Sequence, residues 1–118
     1  MFQLACRTPA SLVVFNTETG KSVASVEGPS SDDIFYDASK GRVYVLGQTM
    51  QAGDPRAVGA GFIDVFQQKD PDHYDRIARY PVPPGTRTGL FVPELGRLYA
   101  AVPHRGTQGS EILVYEPQ

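Results

Sequence analysis

The sequence predicts an all-β fold made of repeated antiparallel sheets. Short runs of apolar, β-branched and aromatic residues, each of strand length, are separated by turns rich in Gly, Pro, Asn and Asp. No stretch shows the 3.6-residue apolar period of an amphipathic helix. One strand–turn–strand pattern at residues 31–48, SDDIFYDASKGRVYVLGQ, returns at residues 88–102, TGLFVPELGRLYAAV. Because internal repeats define an architecture, we expect a fold built from copies of one unit.

The composition is that of one globular domain. The chain has 118 residues, 41% hydrophobic, with 12 Gly and 10 Pro. A formal net charge of −2 gives no general attraction to nucleic acid, and no apolar run approaches the roughly 18 residues that span a bilayer. The single cysteine, Cys6, excludes an intrachain disulfide. Met1 is not followed by a basic segment and an apolar core, so we expect a soluble chain without an export signal and assign no compartment.

The first three strands form one unit. Residues 2–6 are a short apolar strand, and residues 11–16, SLVVFN, are a continuous β-branched run bounded by turn residues. Residues 16–21 form a hairpin turn in which Gly20 supplies a positive φ. Residues 21–27 alternate between polar and apolar and form the return strand.

The next seven strands follow the same logic. Residues 34–36 and 43–46 flank a polar turn, and residues 49–60 form a small polar loop. Residues 62–67 and 75–80 are strands joined by an acidic turn. Residues 90–92 and 98–102 repeat the earlier hairpin, and residues 111–115 form the last strand after a loop.

Alignment of these strands gives the length of the repeat. Residues 12–16, 63–67 and 112–116 correspond at spacings of about 50 residues, and Ile34-Phe35 aligns with Leu90-Phe91. A period of about 50 residues that holds four short strands has the size of one β-propeller blade. We label the strands of a blade a to d, from the centre outwards.

At these residues a family resemblance emerges. The segments Arg-Val-Tyr-Val at 42–45, Ile-Asp-Val-Phe at 63–66 and Asn-Thr-Glu-Thr-Gly-Lys at 16–21 resemble the YVTN-type β-propeller repeat. The resemblance covers nearly the whole chain and implies a cytochrome-d1-like or quinoprotein-like propeller, a group whose members are often exported. Two features depart from the pattern, the long loop at 49–60 and Gln3, which stands where the other units have Tyr44 and Tyr99.

Ten strands amount to about two and a half blades, whereas closed propellers have roughly 4 to 8. We predict a partial blade at residues 1–29, a complete blade at 30–84 and a partial blade at 85–118. Either the chain is a piece of a longer propeller, or several copies close a ring. The open blade edges and faces predict self-association.

The loops that join strand d to the next strand a, and strand b to strand c, share one face of a propeller. Carboxylates and guanidiniums on that face can bind an anionic or metal ligand, and a histidine can serve as base or ligand. Turn capping and simple surface exposure are the competing interpretation. The ligand-binding candidates are Arg7, Asp32, Asp33, Arg87, His104 and Arg105.

No catalytic motif or cofactor motif is present, so we predict no cofactor, no metal and no catalytic residue. The leading hypothesis is a non-enzymatic scaffold that binds an unknown protein or small ligand, and neither nucleic acid nor membrane. One alternative is part of a propeller enzyme, lactonase-like or cytochrome-d1-like, in which Asp32, Asp33 or His104 contributes to a shared site. The other is a fragment that assembles with itself into a closed ring.

Overall fold

A computed structural model describes residues 2–7, 10–28, 30–50, 58–86, 88–104, 107 and 109–116. The described residues contain ten strands and no helix, which confirms the all-β prediction. The strands are β1 (Phe2–Arg7), β2 (Ala10–Phe15), β3 (Ser22–Glu27), β4 (Ser30–Asp37), β5 (Arg42–Met50), β6 (Val58–Asp70), β7 (His73–Val82), β8 (Thr88–Val92), β9 (Arg97–Val102) and β10 (Glu111–Tyr115).

The strands form three separate antiparallel sheets, each a simple meander. The first sheet has the order β1-β2-β3, the central sheet β4-β5-β6-β7 and the third sheet β8-β9-β10. Strand β4 of the central sheet lies beside β1 of the first sheet and beside β8 of the third sheet. None of the sheets closes into a barrel, and the arrangement is consistent with an incomplete propeller.

The repeated hairpin exists in both places that the sequence indicated. β4 pairs with β5, and β8 pairs with β9. Each hairpin turn contains a glycine immediately before the second strand, Gly41 with φ 63° and Gly96 with φ 61°. Side chains with a Cβ resist this left-handed conformation, so glycine at both turns preserves one hairpin geometry.

Strands β5 and β6 of the central sheet are buried on both of their faces. Five consecutive residues of β5, from Val43 to Gly47, are buried, and so is Gln48. Since successive side chains of a strand point to opposite faces, this pattern requires a cover on each side of the sheet. Burying each large apolar side chain contributes roughly 1.5–3 kcal/mol.

Two apolar clusters provide these covers. One lies between the central and third sheets, and its buried members are Tyr44, Leu46, Ile63, Val65, Val82, Phe91, Leu98 and Ala100. The other lies between the first and central sheets, and its buried members are Leu12, Val14, Val43, Val45, Phe66 and Tyr74. The rings of Tyr44 in the central sheet and Phe91 in the third sheet are 5.2 Å apart between centroids, so an aromatic pair forms part of the contact between these two sheets.

Gln3 occupies the position predicted from the repeat. It pairs with Val14 in the first sheet, as Tyr44 pairs with Val65 in the central sheet. Its side-chain Nε2 donates a hydrogen bond to Tyr74 Oη at 3.3 Å. The glutamine therefore replaces an aromatic contact by a polar link between the first and central sheets.

Some predicted strand limits are wrong. β5 continues to Met50 and β6 begins at Val58, so both strands extend into the predicted loop at 49–60; residues 51–57 lie outside the described residues. Likewise, β4 begins at Ser30, four residues before the predicted strand at 34–36. Pairing uses backbone N–H and C=O groups, so polar or small residues can extend a strand where a partner strand is available.

The predicted alignment of the innermost strands is also off by one residue. Phe35 pairs with Tyr44, and Leu90 pairs with Tyr99. Leu90 therefore corresponds to Phe35 rather than to Ile34. Short apolar runs allow either alignment, and only the pairing register distinguishes them.

A buried ion pair lies on the face of the central sheet that meets the first sheet. Asp64 is 0% exposed, and both of its carboxylate oxygens accept hydrogen bonds from Arg79, at 2.7 and 2.8 Å. Arg76 Nη1 lies 3.5 Å from Asp64 Oδ2. This hydrogen bonding raises the pKa of Arg79, whose guanidinium also lies 4.6 Å from the centre of the Phe62 ring.

The Asp64 side chain is fully buried and the Arg79 side chain is partly exposed, so we expect their replacements to lower the free energy of unfolding by different amounts. Replacing Arg79 by Met leaves a buried carboxylate with only Arg76 nearby, and we expect a loss of about 3 kcal/mol. Replacing Asp64 by Val leaves a guanidinium that is 32% exposed and can be hydrated, so we expect a loss of about 1 kcal/mol. Denaturant unfolding with unchanged m-values measures both.

Arg97→Met is the matched control for this prediction. Arg97 Nε contacts Glu116 Oε1 at 3.0 Å, but both side chains are well exposed. We expect the free energy of unfolding to stay close to the wild-type value, because exposed ion pairs contribute little to stability. An Asp64→Val variant that is no more stable than Arg79→Met would contradict the proposed asymmetry.

Candidate functional site

One end of the sheet arrangement carries the segments in which the binding candidates were predicted. We call it the loop end, and it comprises the beginning of β4, the last part of β5, the β7–β8 connection at 83–87, the beginning of β8 and the segment after β9. An added Cβ at Gly85 would lie 3.3 Å from Pro103 Cγ, so the β7–β8 connection lies close to the end of β9. Gly85 and Pro103 therefore lie at the same end of the arrangement.

Side-chain hydrogen bonds hold the β7–β8 connection in place. Gln48 is 4% exposed, and its Oε1 accepts a hydrogen bond from Gly85 N at 3.3 Å. Thr86 is fully buried, and its hydroxyl donates to Pro83 O at 2.7 Å. Both contacts fix the backbone of a connection that has no strand partner, because each satisfies a main-chain group.

Asp33 provides a third such contact, between sheets. Its Oδ2 accepts a hydrogen bond from Gly89 N at 3.0 Å, which links β4 of the central sheet to β8 of the third. The pairing register of β4 shifts between Ser31 and Asp33, and the Ser31 hydroxyl, which has one proton to donate, lies within hydrogen-bonding distance of the backbone oxygens of both Leu46 and Asp33. This bulge, stabilised by the serine hydroxyl, sets the position of Asp33.

Gly89 allows the two sheets to approach closely at this point. A Cβ built on Gly89 would lie 2.4 Å from Tyr99 O and 2.8 Å from Leu46 Cδ2. Both distances are shorter than real carbon contacts. A side chain here would disturb the pairing of β8 with β9 within the third sheet and would displace the Leu46 side chain of the central sheet. The Asp33 carboxylate and Gly89, which has no side chain, therefore lie at the same contact between the central and third sheets.

The structure describes only some of the predicted site residues. Asp33 lies within β4, not in a loop as predicted, because the pairing with β5 begins earlier than its apolar run. His104 is exposed just beyond β9. The side chains of the remaining four candidates lie outside what the structure describes, and they are Arg7, Asp32, Arg87 and Arg105.

The sequence prediction missed three polar residues of the loop end, Ser31, Gln48 and Thr86. All three are buried, at 6%, 4% and 0% exposure. Their signal in the sequence is weak, since each lies at the end of a strand or in a turn, where polar residues are common. The only local hint, for Gln48, is a polar residue two positions after the apolar run 43–46.

Comparisons with known protein families, curated proteins and solved structures found no match. Within the described residues, no group of three or more His, Cys, Asp or Glu side chains is placed to hold a metal ion. No helix in that part of the chain is long and apolar enough to cross a membrane.

Removing the Asp33 carboxylate should weaken the tether between the central and third sheets. Asp33→Ala removes the acceptor of the Gly89 amide, a charge-assisted hydrogen bond worth about 1.5–3 kcal/mol when shielded from water. Because Asp33 is half-buried, we expect a loss of about 1–2 kcal/mol and faster hydrogen exchange at Gly89. Glu94→Ala, in the exposed β8–β9 turn, is the control and should change neither quantity.

The contact between His73 and Asp70 should make the stability of the fold depend on pH. His73 Nδ1 lies 2.7 Å from Asp70 Oδ1 in the exposed turn between β6 and β7. This contact raises the pKa of His73 and lowers the pKa of Asp70. The histidine contribution to stability is lost as pH rises through its raised pKa, and the aspartate contribution is lost as pH falls through its lowered pKa. The pair therefore stabilises the fold mainly between about pH 4 and 6.5.

Asp70→Asn should lower the pKa of His73 measured by NMR titration, although Asp72 and Asp75 continue to raise it. The difference in Tm between wild type and variant should be largest in that pH window and vanish at higher pH. A His73 pKa that does not change in Asp70→Asn would contradict the assignment.

Proposed function

We propose that this chain is a non-enzymatic β-propeller module of the YVTN type that acts as a binding scaffold, with the loop end as its binding surface. The support from the sequence is the resemblance of the repeat. The support from the structure is that the polar side chains at the loop end hold the connection between the sheets in place.

One observation carries the proposal: the Asp33 carboxylate binds the Gly89 amide and thereby joins two sheets. In a shared catalytic site this carboxylate would be directed at a substrate. Together with the Gln48 and Thr86 contacts, it instead holds the connection between the sheets in one conformation. A surface that is ordered before binding loses little conformational entropy when a ligand arrives, which is the advantage of a scaffold.

Two other carboxylates, both of them buried, also stabilise the fold. Asp37 is 5% exposed and accepts hydrogen bonds from Ser39 N and Oγ, at 3.0 and 2.6 Å. Asp64 is bound by Arg79. Asp37 therefore stabilises a turn and Asp64 stabilises a face of the central sheet, so both carboxylates have structural roles.

NMR mapping with defined probes tests the proposal. We expect inorganic phosphate, citrate or calcium chloride to produce saturable shifts in the amides of Gly85, Thr86, Gly89 and His104. His104→Ala should weaken that binding about fivefold, the effect of losing a contact worth about 1 kcal/mol. His73→Ala is the matched control, because His73 is equally a surface histidine but lies in the β6–β7 turn.

Shifts that remain linear up to high probe concentration, or that cluster on the outer faces of the sheets, would contradict binding at the loop end. Catalytic turnover that disappears in Asp33→Ala while the fold is retained would contradict the non-enzymatic assignment.

A further inference from the structure

The third sheet has a large apolar face that no other part of the described chain covers. Leu90 is 58% exposed, Ile112 is 62% exposed and Val114 is 53% exposed, while Tyr99 and Ala101 beside them are half-buried. We call this surface the outer face of the third sheet. It contains a shallow cavity of about 170 Å³ lined by Thr88, Gly89, Leu90, Tyr99, Ala101 and Ile112. An exposed apolar surface of this kind marks an interaction site.

The pairing registers show which surface of the central sheet corresponds to this face. In the central sheet, one cross-strand row contains Phe35, Tyr44 and Val65. In the third sheet, the corresponding row contains Leu90, Tyr99 and Val114.

The adjacent row corresponds as well. Leu46 and Ile63 pair in the central sheet, and Ala101 and Ile112 pair in the third sheet. A polar contact repeats in the same way. Arg42 donates a hydrogen bond to Gln67 at 3.1 Å in the central sheet, and Arg97 donates one to Glu116 at 3.0 Å in the third sheet. The outer face of the third sheet is therefore the repeat of the central-sheet face.

In the central sheet this face is fully covered. Tyr44, Leu46 and Ile63 are 0% exposed, and Val65 is 2% exposed. The cover is the inner face of the third sheet, which contributes Leu98 and Ala100, with Leu113 and Tyr115 packed against the same cluster. The outer face of the third sheet should therefore be covered by another sheet whose surface resembles the inner face of the third sheet.

The first sheet has a face that corresponds to that cover. By the registers, Leu4 corresponds to Ala100, Val13 to Leu113 and Phe15 to Tyr115. These three side chains point away from the central sheet, because Leu12 and Val14 between them pack against it. Leu4 is 42% exposed, and Val13 and Phe15 are half-buried. We call this surface the outer face of the first sheet.

We propose that two copies of this chain close into a six-sheet ring, in which the outer face of the third sheet of each copy packs on the outer face of the first sheet of the other. Closed propellers contain roughly 4 to 8 blades. With three sheets per chain, two copies fall within this range, whereas one copy and three copies do not. The shape of the chain agrees with half a ring: it measures 48 × 39 × 20 Å.

Its radius of gyration is also that of an open arc. The value of 14.5 Å exceeds the roughly 13.5 Å expected for a compact domain of this length. The proposal rests on the propeller architecture but not on Asp33 or His104, because the two outer faces include neither residue.

Analytical ultracentrifugation of the full chain and of two charge variants tests the ring. Wild type should sediment at twice the chain mass of 12.8 kDa, in a reversible equilibrium between about 1 µM and 1 mM. Ile112→Glu and Leu4→Glu each place a charge at both junctions and should raise the dissociation constant about 100-fold or more. Both sites are exposed in the single chain, so circular dichroism should remain unchanged.

Mixing the two variants is the decisive measurement. Each variant retains one intact outer face, so an equimolar mixture should form a heterodimer with one intact junction, although each variant alone is monomeric. Ile77→Glu is the matched control, because Ile77 is 45% exposed on β7, outside both outer faces, and this variant should dimerise like wild type.

Three results would overturn the proposal. A folded wild-type chain that stays monomeric over the whole concentration range excludes the ring. A Leu4→Glu variant that still dimerises while Ile112→Glu does not indicates a contact between two third sheets instead. Species whose mass keeps growing with concentration show that the junctions do not close.

Discussion

β5 has apolar side chains on both of its faces, and water must be excluded from both. Val43 and Val45 belong to the cluster with the first sheet, and Tyr44 and Leu46 belong to the cluster with the third sheet. A single sheet cannot bury two faces, so the chain must place one sheet on each side of the central one. The face-to-face arrangement of all three sheets follows from this alternation, and it leaves one outer face at each end of the arrangement uncovered.

The polar side chains that matter most lie where the sheets meet, and each has a defined partner. Asp64 is held by Arg79 within the central sheet, Gln3 reaches Tyr74 between the first and central sheets, and Asp33 binds Gly89 between the central and third sheets. These contacts differ from one another, although the sheets repeat. Apolar packing alone would allow the sheets to slide, whereas a directed hydrogen bond favours a single relative position.

Much of the fold could be predicted from local patterns. The ten strands and the repeated hairpin appear in the sequence because apolar runs of strand length are separated by Gly and Pro turns. The candidate site could be predicted less well. The pairing of Ser30 with Gln48 is made by backbone groups, so residue type did not reveal that Asp33 lies in a strand. The role of Gly89 depends on the distance to Leu46 and Tyr99, which no local pattern encodes.

The sequence alone determined the all-β class, the number of strands and the repeat, because alternation and turn chemistry act between near neighbours along the chain. Only the tertiary structure decided the pairing register, the tether made by Asp33, the burial of Asp64 and the exposure of Leu90, Ile112 and Val114. Ile63 and Ile112 show why: they occupy equivalent positions in equivalent strands, yet one is fully buried and the other is 62% exposed. Whether another sheet packs on an apolar face depends on contacts between distant residues, which local sequence does not specify.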